Sequence, residues 1–144
     1  MQTIITVDFD STLSVKEVAE FVKELIQKYG IDVWILTSRY DEIHKHNYAI
    51  NPTNNDMYAY LDVNFNYIMS FSDMPFSDMP FPKHKIIFTN MKDKADYLKD
   101  TNILCHLDDD QQELFLIGKL TKVIPIDVTR NDWEKKVLKL LSDI

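Results

Sequence analysis

Short apolar runs alternate along the chain with segments whose apolar residues recur every three or four positions. The short runs predict five buried strands, at 4–7, 33–36, 86–88, 103–107 and 123–126. The helical spacing predicts five amphipathic helices, over 15–29, about 54–68, 92–99, near 110–117 and 132–141. We expect Ser14 to be the N-cap of the first helix and Gly30 to end it.

This alternation of strand and helix predicts the α/β fold class. We expect a three-layer, Rossmann-like parallel sheet of about five strands with helices on both faces, in a single domain covering residues 1–144. Ligands of such sheets bind where the strands end at their carboxyl termini. The polar residues that follow each predicted strand are therefore the candidates for chemistry.

Composition narrows the class of protein further. The formal net charge of −7 disfavours long-range attraction to nucleic acid. The single cysteine excludes an internal disulfide and a cysteine-based zinc cluster, and no apolar run is long enough to cross a bilayer. We therefore expect a cytoplasmic protein without a membrane partner. The two glycines are too few for a glycine-rich phosphate loop, so any phosphate must be held in another way.

Two carboxylates follow the first predicted strand. Asp8 and Asp10 are two residues apart, and in an extended segment they point the same way. Carboxylates side by side repel unless a cation or a proton lies between them. Mg²⁺ is suitable because it takes oxygen ligands and commonly uses one or two carboxylates. The alternative is an ordinary strand-to-helix turn in which an aspartate caps the helix.

The second predicted strand ends in Thr37, Ser38 and Arg39, two hydroxyls followed by a guanidinium. These groups are suitable phosphate ligands, although a simple helix N-cap is the alternative. Lys92 and Lys94 lie between the third and fourth predicted strands. Lysines at such positions are usually solvated, and only the other motifs make them candidates.

Three consecutive acids, Asp108, Asp109 and Asp110, follow the fourth predicted strand. Acids directly after a buried strand are costly unless a cation is near, which favours metal binding over helix capping. His106 precedes them, and we expect it to be a packed or supporting residue and no metal ligand.

Taken in order, these motifs resemble the four motifs of the haloacid dehalogenase (HAD) superfamily of phosphohydrolases. The resemblance spans about positions 4–110, and the segment from Lys92 to Asp109 is similar in style to the 5′-nucleotidase and deoxyribonucleotidase branch. It implies a sheet with the first strand at the centre, flanked by the second and fourth. Only Ser14 separates Leu13 from the first helix, so the chain would carry no separate cap domain at that point. Ser11 stands where glycine is the commonest residue of the family's first motif.

The resemblance also implies roles for individual residues. Asp8 would be the nucleophile, and Asp10 the general acid and then the base. Thr37 would bind the transferring phosphoryl group, with Ser38 beside it. Lys94, or in second place Lys92, would neutralise charge on Asp8 and the phosphate. The implied Mg²⁺ ligands are Asp8, the backbone carbonyl of Asp10, Asp108 and, in support, Asp109.

The motifs and the resemblance together thus imply a Mg²⁺-dependent phosphomonoesterase, and the resemblance implies that it works through an aspartyl phosphate. A phosphorylated small molecule is the expected substrate, and a nucleotide is one candidate. The alternatives are a phosphatase of polynucleotide ends, which the acidic charge disfavours, and a catalytically silent binding domain. Selectivity would come from the loops 39–53 and 69–85, from a partner subunit or from a large substrate. Residues 71–81 contain a tandem copy of five residues, which we interpret as a surface insertion, with a flap over the site as the alternative.

Overall fold

Five short strands form one sheet in the part of the chain that the computed structural model describes, residues 2–44, 53–65 and 85–144. Their bounds are β1 Ile4–Val7, β2 Asp32–Thr37, β3 Ile86–Phe88, β4 Cys105–Asp108 and β5 Ile124–Asp127. All neighbouring pairs are parallel, and the order is β3-β2-β1-β4-β5. The five predicted strands are confirmed. β1 and β3 have the predicted bounds, and the ends of the other three are displaced by one or two residues.

Five helices whose bounds lie within the described residues connect and cover these strands. Their bounds are α1 Lys16–Tyr29, α2 Asn55–Phe65, α3 Lys94–Leu98, α4 Gln111–Leu120 and α5 Trp133–Ser142. Apolar residues of α1, α2 and α5 share one core with the sheet, whereas those of α3 and α4 form a second, smaller core. The predicted α/β, Rossmann-like arrangement with helices on both faces is confirmed. The duplicated segment 71–81 and the predicted end of the second helix at 66–68 lie outside the described residues.

The strands at the centre of the sheet have an apolar face and a polar face. In β1, Ile5 and Val7 belong to the larger core, so strand alternation directs Thr6 towards the opposite face. In β4, Cys105 and Leu107 belong to the larger core, so His106 points to the same face of the sheet as Thr6. Thr6 and His106 are paired in register between the two strands. The sheet therefore carries polar side chains towards α3 and α4, directly below the strand ends.

The start of α1 differs from the prediction. Val15 occupies the N-cap position and makes no side-chain capping bond. Ser14 is one residue too early, and its hydroxyl oxygen accepts a hydrogen bond of 3.1 Å from the backbone N–H of Ser11. Ser14 thus stabilises the turn that precedes the helix. Gly30 ends α1 in the left-handed conformation, with φ of 65°, as predicted.

Candidate functional site

A wide turn over Phe9–Leu13 follows the central strand β1. Backbone bonds of 3.0 Å close it, from Leu13 N–H to the Asp8 carbonyl and from Ser14 N–H to the Phe9 carbonyl. Ser11 adopts φ of 59°, a left-handed conformation that glycine takes without steric cost. The turn separates the two carboxylates that flank its start. Asp8 is buried, whereas the side chain of Asp10 is 55% exposed.

The Asp8 carboxylate lies against a buried ammonium. Lys94, the first residue of α3, donates a bond of 2.8 Å from Nζ to Asp8 Oδ1, and its side chain is only 2% exposed. The buried hydroxyl of Thr12 lies 3.2 Å from Asp8 Oδ2 and 3.1 Å from Asp109 Oδ1. One hydroxyl has one proton, so Thr12 donates to one of these carboxylates at a time.

The carboxylate of Asp108, at the end of β4, accepts four hydrogen bonds. Oδ1 accepts the backbone N–H groups of Asp109 and Asp110 at 2.8 and 3.1 Å. Oδ2 accepts from Lys94 Nζ at 2.6 Å and from His106 Nε2 at 2.8 Å. Four donors match the acceptor capacity of a carboxylate. A cation bound to Asp108 would therefore replace one of them, and Lys94 is the donor that also has Asp8 as a partner.

Asp8, Asp108 and Asp109 form an acidic triad, with one ligand oxygen from each lying within 4.8 Å of the others. The side chain of Asp10 lies outside this triad. When all are ionised, the three carboxylates leave two negative charges beyond what the Lys94 ammonium balances. Oxygen donors with that residual charge suit a hard divalent cation such as Mg²⁺. The residues therefore fit the predicted metal, provided that Lys94 yields part of its contact with Asp108.

Burial and charge perturb the titration of this cluster. Burial, together with the charge of Asp108, raises the pKa of Asp8 to about 7, although Lys94 opposes the shift. Burial alone would raise the pKa of Asp108. The hydrogen bond from His106 and the charge of Lys94 outweigh burial and hold the pKa of Asp108 below its ordinary value. Burial disfavours the charged form of Lys94, yet Asp8 and Asp108 raise its pKa. Without a further cation, Asp8 is thus the member of the cluster that takes up a proton near neutral pH.

Arg39, predicted to bind phosphate, is held by protein groups. Nε and Nη2 donate to the two oxygens of Asp10 at 2.8 and 2.7 Å. Nη1 and Nη2 donate to Asp56 at 2.8 Å each, and Nη1 also donates to Asn54 at 3.3 Å. The hydrogen bonds to Asp10 and Asp56 raise the pKa of Arg39 above its ordinary value. All five N–H donors are thus engaged, so phosphate could bind Arg39 only by displacing a carboxylate or the amide.

The other predicted residues fall into two groups. Thr37 is buried at the end of β2, and its hydroxyl oxygen accepts a 3.2 Å bond from the Arg39 N–H, which leaves its own proton to donate. Ser38 follows it at the same edge of the sheet. Lys92 is exposed and makes none of the contacts described above within the described residues, whereas Lys94 makes two of them. The structure therefore brings Lys94 to Asp8 and leaves Lys92 outside.

Several residues at this site carried no functional prediction. Thr12 binds the acidic triad, Thr6 binds His106, and Asn54 and Asp56 of the α2 region hold Arg39. A signal existed for Thr6, because it is a hydroxyl residue within the apolar run 4–7 that the pattern buries. Thr12 lies in the polar segment that follows Asp8, and nothing there distinguishes its hydroxyl from that of Ser11. For Asn54 and Asp56 there was none, since helix starts are commonly polar.

Comparisons of the chain with models of protein families, with curated proteins and with solved structures find no match. Among the described helices, none has the length and apolar character needed to cross a membrane.

Proposed function

We propose that this chain is a Mg²⁺-dependent phosphomonoesterase of the HAD type, with Asp8 as its nucleophile. One observation carries the proposal: Asp8 is buried at the end of the central strand, with Lys94 Nζ 2.8 Å from Oδ1 and with Asp108 and Asp109 around it. The strand order supports it, because β1 lies between β2 and β4, as the sequence resemblance implied.

The two oxygens of Asp8 have different surroundings, which suggests a division of labour. Oδ1 accepts the charge-assisted bond from Lys94, while Oδ2 has the hydroxyl of Thr12, shared with Asp109, beside it. Oδ2 is therefore the better placed atom to attack phosphorus. Attack forms an Oδ2–P bond and breaks the bond from phosphorus to the ester oxygen. Lys94 offsets the negative charge that collects between the carboxylate and the phosphate.

Asp10 is proposed to protonate the departing ester oxygen. It then accepts a proton from the water that attacks the aspartyl phosphate, which releases inorganic phosphate and restores the Asp8 carboxylate. Both oxygens of Asp10 face Arg39 in this structure. Proton transfer therefore requires the Asp10 side chain to turn at least one oxygen away from the guanidinium, which its exposed position permits.

A bound Mg²⁺ would be held by Asp8, Asp108, Asp109 and the backbone carbonyl of Asp10, and would supply positive charge to the phosphoryl oxygens. Thr37 supports the same end of the site, since its buried hydroxyl retains a proton to donate at the edge of the sheet.

Small phosphate monoesters, nucleotides among them, are the proposed substrates. The net charge of −7 disfavours the alternative of a polynucleotide end. A screen of nucleotides, sugar phosphates and 3′-phosphorylated oligonucleotides with Mg²⁺, followed by release of inorganic phosphate, compares these classes directly.

A single-turnover experiment tests the nucleophile. After mixing with ³²P-labelled substrate and quenching in acid, we expect label on the peptide that contains Asp8. Asp8→Asn should give neither label nor turnover, because the amide is nearly isosteric but a poor nucleophile. Asp110→Asn is the matched control, since Asp110 is an exposed N-cap of α4 and asparagine serves equally well there. Turnover by folded Asp8→Asn within tenfold of the wild type would refute the assignment.

A further inference from the structure

A chain of hydrogen bonds leaves β1 at Thr6 and returns to it at Asp8. Thr6 Oγ1 lies 2.8 Å from His106 Nδ1, and His106 Nε2 lies 2.8 Å from Asp108 Oδ2. Lys94 Nζ joins Asp108 Oδ2 to Asp8 Oδ1 at 2.6 and 2.8 Å. The chain thereby connects β1, β4 and α3 in a closed circuit beneath the strand ends.

Every member of this circuit is withdrawn from water. Thr6 is 1% exposed, His106 and Asp108 are 0%, Lys94 is 2% and Asp8 is 5%. Buried polar groups are costly unless each finds its partner. Valine has nearly the shape of threonine and would fill the Thr6 position without a hydroxyl. In the described structure the Thr6 hydroxyl has one side-chain partner, His106, and His106 in turn contacts Asp108.

The partners also determine which nitrogen of His106 carries the proton. Ionised Asp108 can only accept, so Nε2 must be the protonated nitrogen that donates to it. In the neutral ring Nδ1 then has a free lone pair and accepts from the hydroxyl of Thr6. The hydrogen bond between Thr6 and Nδ1 thus favours the tautomer in which Nε2 donates to Asp108. With the backbone N–H groups of Asp109 and Asp110 on Oδ1, the plane of the Asp108 carboxylate is determined from both sides.

We propose that His106 is a positioning residue of the site and that Thr6 sets its tautomer, so that together they orient the Asp108 carboxylate towards Lys94 and the other two members of the acidic triad. This inference rests on the proposed function for its effect on turnover. Its geometric part does not, because the orientation of Asp108 can be measured in the resting protein.

The first test is nuclear magnetic resonance of the full chain without metal or substrate. In the wild type we expect ¹⁵N shifts of His106 that mark a neutral ring protonated at Nε2. We also expect slow exchange of the Asp109 and Asp110 amides, which bind Asp108 Oδ1. His106→Leu should speed that exchange at least tenfold, whereas His106→Gln retains an amide donor and should preserve part of the protection. Thr6→Val should alter the His106 tautomer signal, and Thr6→Ser should restore it.

Cys105→Ala provides the matched control. Cys105 is adjacent to His106 on β4, is equally buried and packs in the core on the other face of the sheet. Its truncation should lower the melting temperature without changing the exchange of the Asp109 and Asp110 amides.

The second test uses Mg²⁺ binding, measured by calorimetry, and steady-state kinetics with a phosphate monoester. Residues that support a metal ligand typically change metal affinity or activity by about 10- to 100-fold, so we expect losses in that range for His106→Leu. Thr6→Val removes one neutral hydrogen bond and should cost about fivefold. The kinetic loss should fall on kcat, with KM changed by less than twofold.

The outcomes separate the two proposals. Unchanged amide exchange in His106→Leu overturns the positioning role, whatever the activity, and an unchanged His106 tautomer signal in Thr6→Val overturns the role of Thr6. Losses that Cys105→Ala reproduces also overturn it, since they would reflect stability alone. If the wild type neither binds Mg²⁺ nor releases phosphate, the proposed function fails, and the resonance experiment still decides whether His106 orients Asp108.

Discussion

Replacing Asp8 by asparagine should stabilise the metal-free protein, and the gain should grow with pH. Burial raises the pKa of Asp8 from an ordinary value of 3.8 to about 7. Between these values the unfolded chain ionises Asp8 while the folded protein keeps it protonated, so wild-type stability falls as pH rises. Above about pH 7 both the folded and the unfolded states ionise Asp8, so the titration of Asp8 lowers stability no further. Asparagine resembles the neutral acid and does not titrate.

The size of the effect follows from the pKa shift. Each pH unit between the two values costs about 1.4 kcal/mol, so moving from pH 5 to pH 8 should widen the difference in unfolding free energy by about 3 kcal/mol. For a domain of this size that corresponds to roughly 10 °C in melting temperature. The Lys94 contact is already part of this balance, because it opposes the shift.

Calorimetric melting in EDTA at pH 5 and pH 8 measures the effect, with Asp110→Asn as the control for loss of one carboxylate. We expect Asp8→Asn to melt above the wild type at pH 8 and much closer to it at pH 5, and Asp110→Asn to follow the wild type at both. A difference that is the same at both pH values, or an asparagine variant that melts below the wild type at pH 8, would refute the reasoning.

Three further outcomes can be measured. Mg²⁺ at one hundred times its Kd should stabilise the wild type by about 2.7 kcal/mol, and Asp108→Ala should lose most of that rise in melting temperature; an equal rise in the variant would place the metal elsewhere. Ser11→Gly should raise stability by up to about 1 kcal/mol because Ser11 has φ of 59°, and a lower melting temperature would contradict this explanation. Deleting residues 76–80, one copy of the tandem repeat, should leave melting and turnover nearly unchanged, since loop length affects closure entropy by only about 0.6 kcal/mol per doubling; a tenfold loss of kcat/KM without loss of stability would instead indicate a flap.

Local periodicity was sufficient to predict the fold class and the places where chemistry could occur. The strand before Asp8 and the strand before Asp108 are short apolar runs, and both are observed with their acids at the carboxyl end. Such patterns are local because strand and helix repeats involve neighbours a few residues apart. Ser14 marks the limit of this reasoning. An N-cap depends on the backbone angles of a single residue, and the helix begins one residue later than the sequence pattern predicts.

The partner of each side chain was decided by tertiary structure. Asp10 pairs with Arg39, 29 residues away, and Asp8 pairs with Lys94 at a separation of 86. The pattern placed Asp10 beside Asp8, but the turn at Ser11 follows Asp10 and leaves its carboxylate exposed beside Arg39.

The choice between Lys92 and Lys94 shows why tertiary structure decides which side chains become partners. Both lysines lie in one short polar segment, and only the family resemblance ranked Lys94 before Lys92. Lys94 is the first residue of α3, and the packing of that helix against α4 and Leu36 of β2 holds its buried ammonium between two carboxylates. The same holds for Thr6 and His106, which are 100 residues apart and meet only because β4 lies beside β1. The sequence alone determines which residues end the strands, whereas the order of the strands determines which of those residues meet.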